Sequence, residues 1–349
     1  MNGPAAKVRS NRLDRLMRSS ISAMDLDLTG IGVLTEAASD FFSTTCLMAA
    51  IAGAGPVVAV ARDSEWGDAK SVVEDIQIAA KQLGIDGHVQ FETELSPRIV
   101  RQCSLVTNLG FVRPIDARMM SELPRDSAIS LMCEPWEMRQ SDVDVDAAVH
   151  RSVAVAGTNE RHPLVRTFDY LGPLAGLLML KAQKEVVGSE VLLVASEPFA
   201  EPIADWLVSA GADRVDIRVP PIVSLDLQDS EASLDAVLVA HMGKDSLGLG
   251  PSLSLNPSVL ARLGTALLVI AGDLETEPFE RMGVEVHPVP PRPAGQMWAT
   301  TSMIGPKPVV SLHCAGLKVG EVMVRALRSG LSPKEAESQA VSSGFGLLC

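Results

Sequence analysis

The sequence is poor in aromatic residues, in cysteine and in positive charge. Phe, Trp and Tyr together make up 4% of the 349 residues, too few to build the stacked aromatic platform that binds single-stranded nucleic acid. Lys and Arg number 30 against 43 Asp and Glu, a formal net charge of −13. An acidic chain lacks the basic face of a general nucleic-acid binder. Five cysteines without a CxxC motif exclude a disulfide scaffold and a cysteine zinc site.

Long hydrophobic runs are also missing. The longest, Cys46–Ala61, has 16 residues and contains Gly53, Gly55 and Pro56, whereas a membrane-spanning helix needs about 20 apolar residues. The first twenty residues are basic but contain no apolar core of a signal peptide. We therefore expect a cytoplasmic protein with reduced thiols that does not interact with membranes.

The remaining composition is that of a globular protein, with 47% hydrophobic and 21% charged residues. A chain of this length predicts two domains. Short apolar runs alternate with helical stretches, which is typical of doubly wound parallel sheets. The strands predicted in the first half are Ile31–Leu34, Val57–Ala61, Val89–Phe91, Ser104–Thr107, Ala128–Leu131 and Val153–Val155.

A longer helical stretch, Leu164–Glu185, separates the two halves, and the alternation then resumes. The strands predicted in the second half are Glu190–Ala195, Val215–Val219, Ala236–Ala240, Ala266–Ile270, Val284–His287 and Val309–Leu312. The last predicted helices are Lys318–Arg328 and Pro333–Ser342. The proline-rich segment Pro288–Gly295, between the last two predicted strands, predicts a stiff loop. The predicted fold is two Rossmann-like α/β domains, joined by a long interdomain helix, with a cleft between them.

The segment Ser104–Asn159 carries a recognisable pattern. A strand ends in a short loop, a helix follows with a Leu-Pro pair, and Gly157-Thr158-Asn159 closes the unit. This pattern resembles the D-2-hydroxyacid dehydrogenase family, of the formate and glycerate dehydrogenase type. Val191–Val219 resembles the nucleotide-binding βαβ unit of that family, and Val309–Gly316 resembles the strand and loop that present its catalytic histidine. A weaker likeness to S-adenosylhomocysteine hydrolases also exists.

The resemblance implies a domain plan and a chemistry. Residues 1–163 with 317–349 would form the substrate domain, and residues 164–316 would form the nucleotide-binding domain. NAD or NADP would be the cofactor, a small acidic metabolite the substrate, and a homodimer the assembly. The catalytic residues would be His313, as acid or base, with Glu134 and Glu137.

The other site candidates lie where predicted strands end, because the carboxyl ends of parallel strands face the ligand crevice. The substrate-binding candidates are Asn108, Gly110, Arg113, Trp136, Arg139, Asn159 and His162. The cofactor-binding candidates are Ser196, Glu197, Phe199, Arg218, His241 and Gly243. Glu36 follows the first strand and is a further candidate. The alternatives are purely structural roles: His313 is a packed core histidine, Trp136 anchors a solvated loop, and Asn159 caps a helix. No metal site is expected, because the histidines fall in separate elements.

Two departures from the family pattern keep a second hypothesis open. The turn Ser196–Pro202 contains no glycine, and Glu197 would place a carboxylate where a pyrophosphate approaches. The strand Ala266–Ile270 is followed by Ala271-Gly272-Asp273, without the arginine that binds a substrate carboxylate in the family. The leading hypothesis is a divergent NAD(P)-dependent oxidoreductase. The alternative is a non-redox protein on the same scaffold: a lyase, hydrolase or transferase, or a binding protein.

Overall fold

The structure is a computed structural model that describes residues 4–220, 233–242, 257–272, 274–289 and 297–349. The chain divides into two compact units, residues 1–166 with 306–349, and residues 167–305. The first boundary lies three residues beyond the predicted one. The second lies at 305/306 rather than 316/317, because residues 306–316 belong to the first half of one continuous helix.

The first unit is built on a seven-stranded sheet. Its strands are β1 (Val33–Glu36), β2 (Val57–Val60), β3 (Val89–Glu92), β4 (Leu105–Thr107), β5 (Ala128–Ser130), β6 (Ala154–Thr158) and β12 (Gly346–Leu348). Read from β3, the six parallel strands follow the order 3-2-1-4-5-6, and β12 adds antiparallel to β6. The six parallel strands confirm the predicted positions within a few residues. The sequence did not predict β12.

Helices cover both faces of this sheet. They are α1 (Pro4–Ala23), α2 (Thr44–Ile51), α3 (Ala69–Leu83), α4 (Pro97–Val100), α5 (Ala117–Met120), α6 (Val145–Arg151), α11 (Pro306–Arg328) and α12 (Pro333–Ser342). Every residue of β1 and β2 is buried, as expected for parallel strands with helices on both sides. Several of these helices are preceded by a capping side chain. Asp68, for example, caps α3 by accepting a hydrogen bond from the Ser71 amide at 2.9 Å.

The second unit is built on a five-stranded parallel sheet. Its strands are β7 (Glu190–Ala195), β8 (Arg214–Arg218), β9 (Leu234–Ala240), β10 (Ala266–Ala271) and β11 (Val286–His287). Its helices are α7 (Leu171–Lys181), α8 (Ala200–Ser209), α9 (Pro257–Leu263) and α10 (Glu277–Arg281). Numbered within the unit, the described strands follow the order 2-1-3-4-5. The prediction of two parallel α/β sheets is therefore confirmed.

Two predicted elements differ from the structure. The helix expected over Leu164–Glu185 is the shorter α7 after a 3-10 turn at Thr167–Tyr170, and it lies within the second unit. Pro173 stands in its first turn, where a missing N–H is tolerated. The strand predicted at Val309–Leu312 is wrong: these residues are helical and belong to α11. A short β-branched run is compatible with a buried helix as well as with a buried strand.

Two glycines allow α11 to lie close to the first sheet. A Cβ atom on Gly320 would stand 2.0 Å from Leu105 Cδ1, and one on Gly316 would stand 2.3 Å from Met132 Sδ. No side chain larger than hydrogen fits at Gly320 without displacing the strand residue. This close packing holds His313, three residues before Gly316, against the interior of the unit.

Candidate functional site

The candidate site of the first unit lies at the carboxyl ends of its parallel strands. From β1 the chain continues to β2 on one side, whereas β4 pairs with β1 on the other. The strand order therefore reverses between β1 and β4. In open α/β sheets, ligands bind outside the carboxyl ends of the strands at such a switch point.

Glu36 stands at this switch point as the last residue of β1. It is 6% exposed, and its Oε2 accepts a hydrogen bond from the Phe111 amide at 3.1 Å. Burial raises the pKa of Glu36, while the amides of Phe111 and Gly110 and the charge of Arg113 oppose that rise. Gly110 is among the residues predicted to bind substrate. In the structure, the amides of this loop bind the chain's own carboxyl group, that of Glu36.

Asn108 joins the ends of β4 and β5. Its Oδ1 accepts a hydrogen bond from the Met132 amide at 2.8 Å, and its Nδ2 lies 3.6 Å from Cys133 Sγ. The Asn108 carbonyl accepts a hydrogen bond from Arg113 Nε. The loops that follow β4 and β5, both expected to bind substrate, therefore lie side by side at one edge of the sheet.

Arg113 and Arg139 share a single carboxylate. Asp142 Oδ2 lies 2.8 Å from Arg113 Nη1 and 3.1 Å from Arg139 Nε. Arg113 also faces the carboxyl group of Glu36, so this corner holds two guanidinium groups and two carboxyl groups. Arginine is suited to planar, bidentate recognition of a carboxylate.

Two buried glutamates, Glu134 and Glu160, and the half-buried Glu137 follow β5 and β6. The Glu134 amide donates to Glu137 Oε1 at 2.9 Å, and Trp136 Nε1 donates to Glu134 Oε2 at 2.8 Å. Glu160 lies next to Glu137, and burial, together with the nearby charge of Glu134, raises the pKa of Glu137. The cluster can therefore hold and release a proton.

The carboxylates also have a structural role. Glu134 and Glu137 form a reciprocal capping box around the 3-10 turn Pro135–Glu137. Glu160, which is 4% exposed, was not among the predicted site residues. The signal that could have found it is its position two residues after the last parallel strand.

Asn159 and His162 contact the end of the chain. The Asn159 amide donates to the Phe345 carbonyl at 2.7 Å, and its Nδ2 donates to the Gly344 carbonyl at 3.0 Å. The His162 ring stacks on the Phe345 ring, with the centroids 4.1 Å apart. Both residues hold the segment that leads into β12, and their substrate-binding role stays a prediction.

His313 lies inside α11 and not at the end of a strand. Its Nδ1 is 2.5 Å from Thr45 Oγ1, and its ring centroid is 5.7 Å from that of Phe42. It is 3% exposed, and burial lowers its pKa to about 4. The imidazole is consequently neutral at pH 7 and a weak proton acceptor, so the predicted acid–base role lacks the near-neutral pKa on which it was based.

Two of the predicted cofactor residues of the second unit, Ser196 and His241, meet at the switch point of its sheet, between β7 and β9. Ser196 Oγ lies 2.7 Å from His241 Nδ1. Phe199 is buried and precedes α8, whereas Glu197 is exposed in the turn. Arg218 pairs with Asp216 on the exposed end of β8. The predicted cofactor residue Gly243 lies outside the described residues.

Neither switch point offers the glycine-rich turn that cradles a pyrophosphate. In the second unit the turn is filled by the buried rings of Pro198 and Phe199. In the first unit Glu36 holds the corresponding place after β1, and residues 36–43 contain no glycine. The close backbone approach that a pyrophosphate needs does not fit at either turn. We therefore derive no chemical step through a dinucleotide.

Metal and membrane chemistry receive no support from the described part of the chain. Within it, no three His, Cys, Asp or Glu side chains are arranged to hold a metal ion. No helix among the described residues is long and apolar enough to cross a membrane.

No protein-family model and no curated protein matches the sequence. Solved structures similar to this chain include the A chain of dipicolinate synthase from Bacillus subtilis. That match has a TM-score of 0.51 at 11% identity and covers 87% of this chain and 99% of the other. The corresponding dipicolinate synthase chain from Bacillus halodurans matches with a TM-score of 0.51 at 10% identity, over 85% of this chain and 99% of the other.

The chain shares the fold of these proteins. The two-domain α/β scaffold predicted from the sequence is thereby confirmed at the level of fold. Identities of 10–11% carry no residue roles from those proteins to this chain.

Proposed function

We propose that this protein is a divergent NAD(P)-dependent oxidoreductase of the D-2-hydroxyacid dehydrogenase type that acts on a small acidic metabolite. One observation carries the proposal: the first unit has the strand order 3-2-1-4-5-6. Sheets of this order bind dinucleotides at their switch point; here the phosphates would have to lie away from the glycine-free turn that follows β1. The fold shared with dipicolinate synthase, over 87% of this chain, supports the oxidoreductase-like scaffold.

Two features of the first unit support a role for its carboxyl edge in substrate binding. Arg113 and Arg139, which share Asp142, provide two guanidinium groups suited to a substrate carboxylate. Glu137 and Glu160 lie side by side at the same edge of the sheet, and burial raises the pKa of Glu137. Because burial lowers the pKa of His313 to about 4, the glutamates are the better candidates for proton transfer.

The test of this proposal is nucleotide binding by the intact protein. A thermal-shift titration with NAD+, NADH, NADP+ and NADPH measures whether one pair stabilises the folded chain. A ligand at 100 times its dissociation constant stabilises by about 2.7 kcal/mol. A shift with one pair supports the oxidoreductase and selects the cofactor. No shift with any of the four contradicts the proposal.

A second titration assigns the role of the turn in the second unit. If the nucleotide lies at Ser196–Phe199, replacing the exposed carboxylate by Glu197→Gly should tighten binding, because the carboxylate opposes a phosphate. Asp205→Gly, at an exposed position in the second turn of α8, is the matched control. Equal affinity in both variants and the wild type excludes the turn from the nucleotide site.

The second candidate function is a non-redox enzyme or a binding protein on the same scaffold. The observation that favours it is the absence of glycine from residues 36–43 and from residues 189–210. Under this alternative, the same titrations give no shift with nucleotides. A small dicarboxylate used as the probe would then stabilise the wild type but not an Arg139→Gln variant.

A further inference from the structure

Ser196 and His241 form a hydrogen-bonded pair at the carboxyl end of the second unit's sheet. Ser196 directly follows β7 and His241 directly follows β9, and the Ser196 Oγ atom lies 2.7 Å from His241 Nδ1. Within the part of the chain that the structure describes, this ring is the hydrogen-bond partner of the Ser196 hydroxyl group. In the tautomer that carries its hydrogen on Nε2, the ring accepts the hydroxyl hydrogen at Nδ1. A serine hydroxyl held in this way is the arrangement of a nucleophile and its base.

Backbone hydrogen bonds fix the positions of both residues. The Ser196 amide donates to the Ala240 carbonyl at 3.3 Å, and the His241 amide donates to the Ala271 carbonyl at 3.0 Å. The Ser196 carbonyl accepts a hydrogen bond from the Phe199 amide at 2.8 Å. Both Ser196 and His241 are half-buried, so the sheet positions the pair while a ligand can still reach it from solvent.

An apolar surface continues from this pair across the ends of the strands. Met242 follows His241 along the chain, and Met297 pairs with Ala271 in an isolated β-bridge. Both methionines are half-buried and pack against the hydrophobic cluster that contains Phe199. Methionine side chains adapt to apolar groups of different shape. The base of the pair therefore has an adaptable apolar surface beside it.

The turn that follows Ser196 limits the charge of a ligand. Glu197 is exposed there, and its acidic side chain opposes an anionic group close to Ser196. The buried rings of Pro198 and Phe199 leave no room for the close backbone approach of a pyrophosphate. A neutral ester with an apolar acyl group satisfies these conditions, because its carbonyl carbon can meet the hydroxyl group while its acyl chain covers the methionines.

We propose that the second unit hydrolyses neutral esters, with Ser196 as the nucleophile and His241 as its base. Ser196 Oγ forms a bond to the carbonyl carbon of the ester, and its proton passes to His241 Nδ1. The bond to the alcohol breaks, and the leaving alcohol takes that proton. A water molecule then gives a proton to His241 and attacks the acyl-serine, which releases the carboxylic acid as Oγ takes the proton back. No nucleotide takes part, so this inference goes beyond the proposed function and does not depend on it.

The first test is labelling of the full chain with an alkyl fluorophosphonate, which bonds to an activated serine with loss of fluoride. We expect one adduct, located by mass spectrometry on the peptide that contains Ser196. Ser196→Ala should abolish it, and His241→Gln should slow it at least about 100-fold, because a positioned general base contributes that much. Ser209→Ala, at an exposed position at the end of α8, is the matched control and should be labelled as the wild type is.

Hydrolysis of p-nitrophenyl esters tests the reaction and the class of acyl group. From acetate to butyrate, kcat/KM should rise about fourfold for each methylene group that the methionine surface buries. Met297→Ala should reduce this rise. Ser196→Ala should leave only the rate of the uncatalysed reaction.

The outcomes separate this inference from the proposed function. An adduct on Ser196 that depends on His241 supports the pair. Absence of an adduct, an adduct on another residue, or wild-type ester hydrolysis by Ser196→Ala overturns it, whatever the nucleotide titrations show. Labelling of His241→Gln at the wild-type rate overturns the role of the base, and equal kcat/KM for acetate and butyrate overturns the apolar acyl group. Unfolding curves of each variant establish that the folded state is retained.

Discussion

His313 is a buried neutral base whose environment makes the stability of the protein depend on pH. Burial lowers its pKa from 6.5 to about 4, so between these values the unfolded chain binds a proton that the folded chain does not. Its contribution is fully present above pH 6.5 and is lost as the pH falls towards 4. The loss across this window is on the order of 3 kcal/mol.

We expect His313→Asn to lose less stability than the wild type between pH 7 and pH 4.5. Asparagine keeps a polar atom near Thr45 Oγ1 and removes the titratable ring. Urea denaturation at several pH values measures the slope, and His88→Asn, an exposed histidine, is the control. If the stability of the wild type and of His313→Asn falls equally between pH 7 and pH 4.5, the buried imidazole does not cause the loss of stability in acid.

Glu36 has the opposite pH dependence. Burial raises its pKa above 4.5, so the folded chain holds a proton that the unfolded chain releases, and stability falls as the pH rises through the window that begins at 4.5. Glu36→Gln keeps an oxygen for the Phe111 amide and removes the charge. The free energy of unfolding of this variant should rise relative to that of the wild type as the pH is raised from 5 to 8.

Denaturation at pH 5 and pH 8 measures the effect of Glu36→Gln. Glu201→Gln, at an exposed position of α8, should show no such gain. If Glu36→Gln instead became less stable relative to the wild type as the pH rises, burial would not be raising the pKa of Glu36. Glu36→Ala removes the acceptor as well and should cost about 1–3 kcal/mol, because the Phe111 amide is left without its partner.

The helix α11 depends on Gly320 for its close approach to β4. Gly320→Ala places a methyl group 2.0 Å from the buried Leu105 Cδ1, and overpacking of this kind costs about 1–3 kcal/mol. Gly316→Ala is the matched variant in the same helix. It meets the flexible Met132 side chain instead, so its cost should be smaller.

The double variant Leu105→Ala with Gly320→Ala isolates the contact. If the clash is the cause, the two costs should be less than additive, because shortening Leu105 makes room for the new methyl group. Urea denaturation of the four proteins gives the coupling. A Gly320→Ala variant more stable than the wild type would show that helix propensity outweighs the contact.

Local pattern predicted most strands of both sheets, since each is a short buried run between turns. It failed at Val309–Leu312, where the apolar run continues as a helix whose close packing depends on Gly316 and Gly320. The signal for that helix was nonlocal: the residues that face those glycines, Met132 and Leu105, lie more than 180 positions earlier in the chain. The same limit explains Glu36 and Phe111, which pair across 75 residues.

Strand order is the property of the whole molecule that the sequence pattern did not predict. Alternating strands and helices were evident, but which strand pairs with which is decided by contacts between distant segments. The order 3-2-1-4-5-6 belongs to the first unit and 2-1-3-4-5 to the described part of the second. The family resemblance had placed the nucleotide on the second domain, whereas strand order favours the first.

The four tryptophans can decide between these placements, because two lie in each unit: Trp66 and Trp136 in the first, Trp206 and Trp298 in the second. The buried clusters on the two faces of each sheet are drawn from that unit alone, so we expect two unfolding transitions. In the double variants Trp66→Phe with Trp136→Phe, and Trp206→Phe with Trp298→Phe, fluorescence follows one unit at a time.

A ligand raises the transition of the unit that binds it. Saturating NADPH should therefore shift the transition of the first unit by several degrees, since about 2–4 °C per kcal/mol is expected for a unit of this size, and leave that of the second unchanged. A shift confined to the second unit would return the nucleotide to the turn at Ser196–Phe199, and strand order would then not determine where the nucleotide binds.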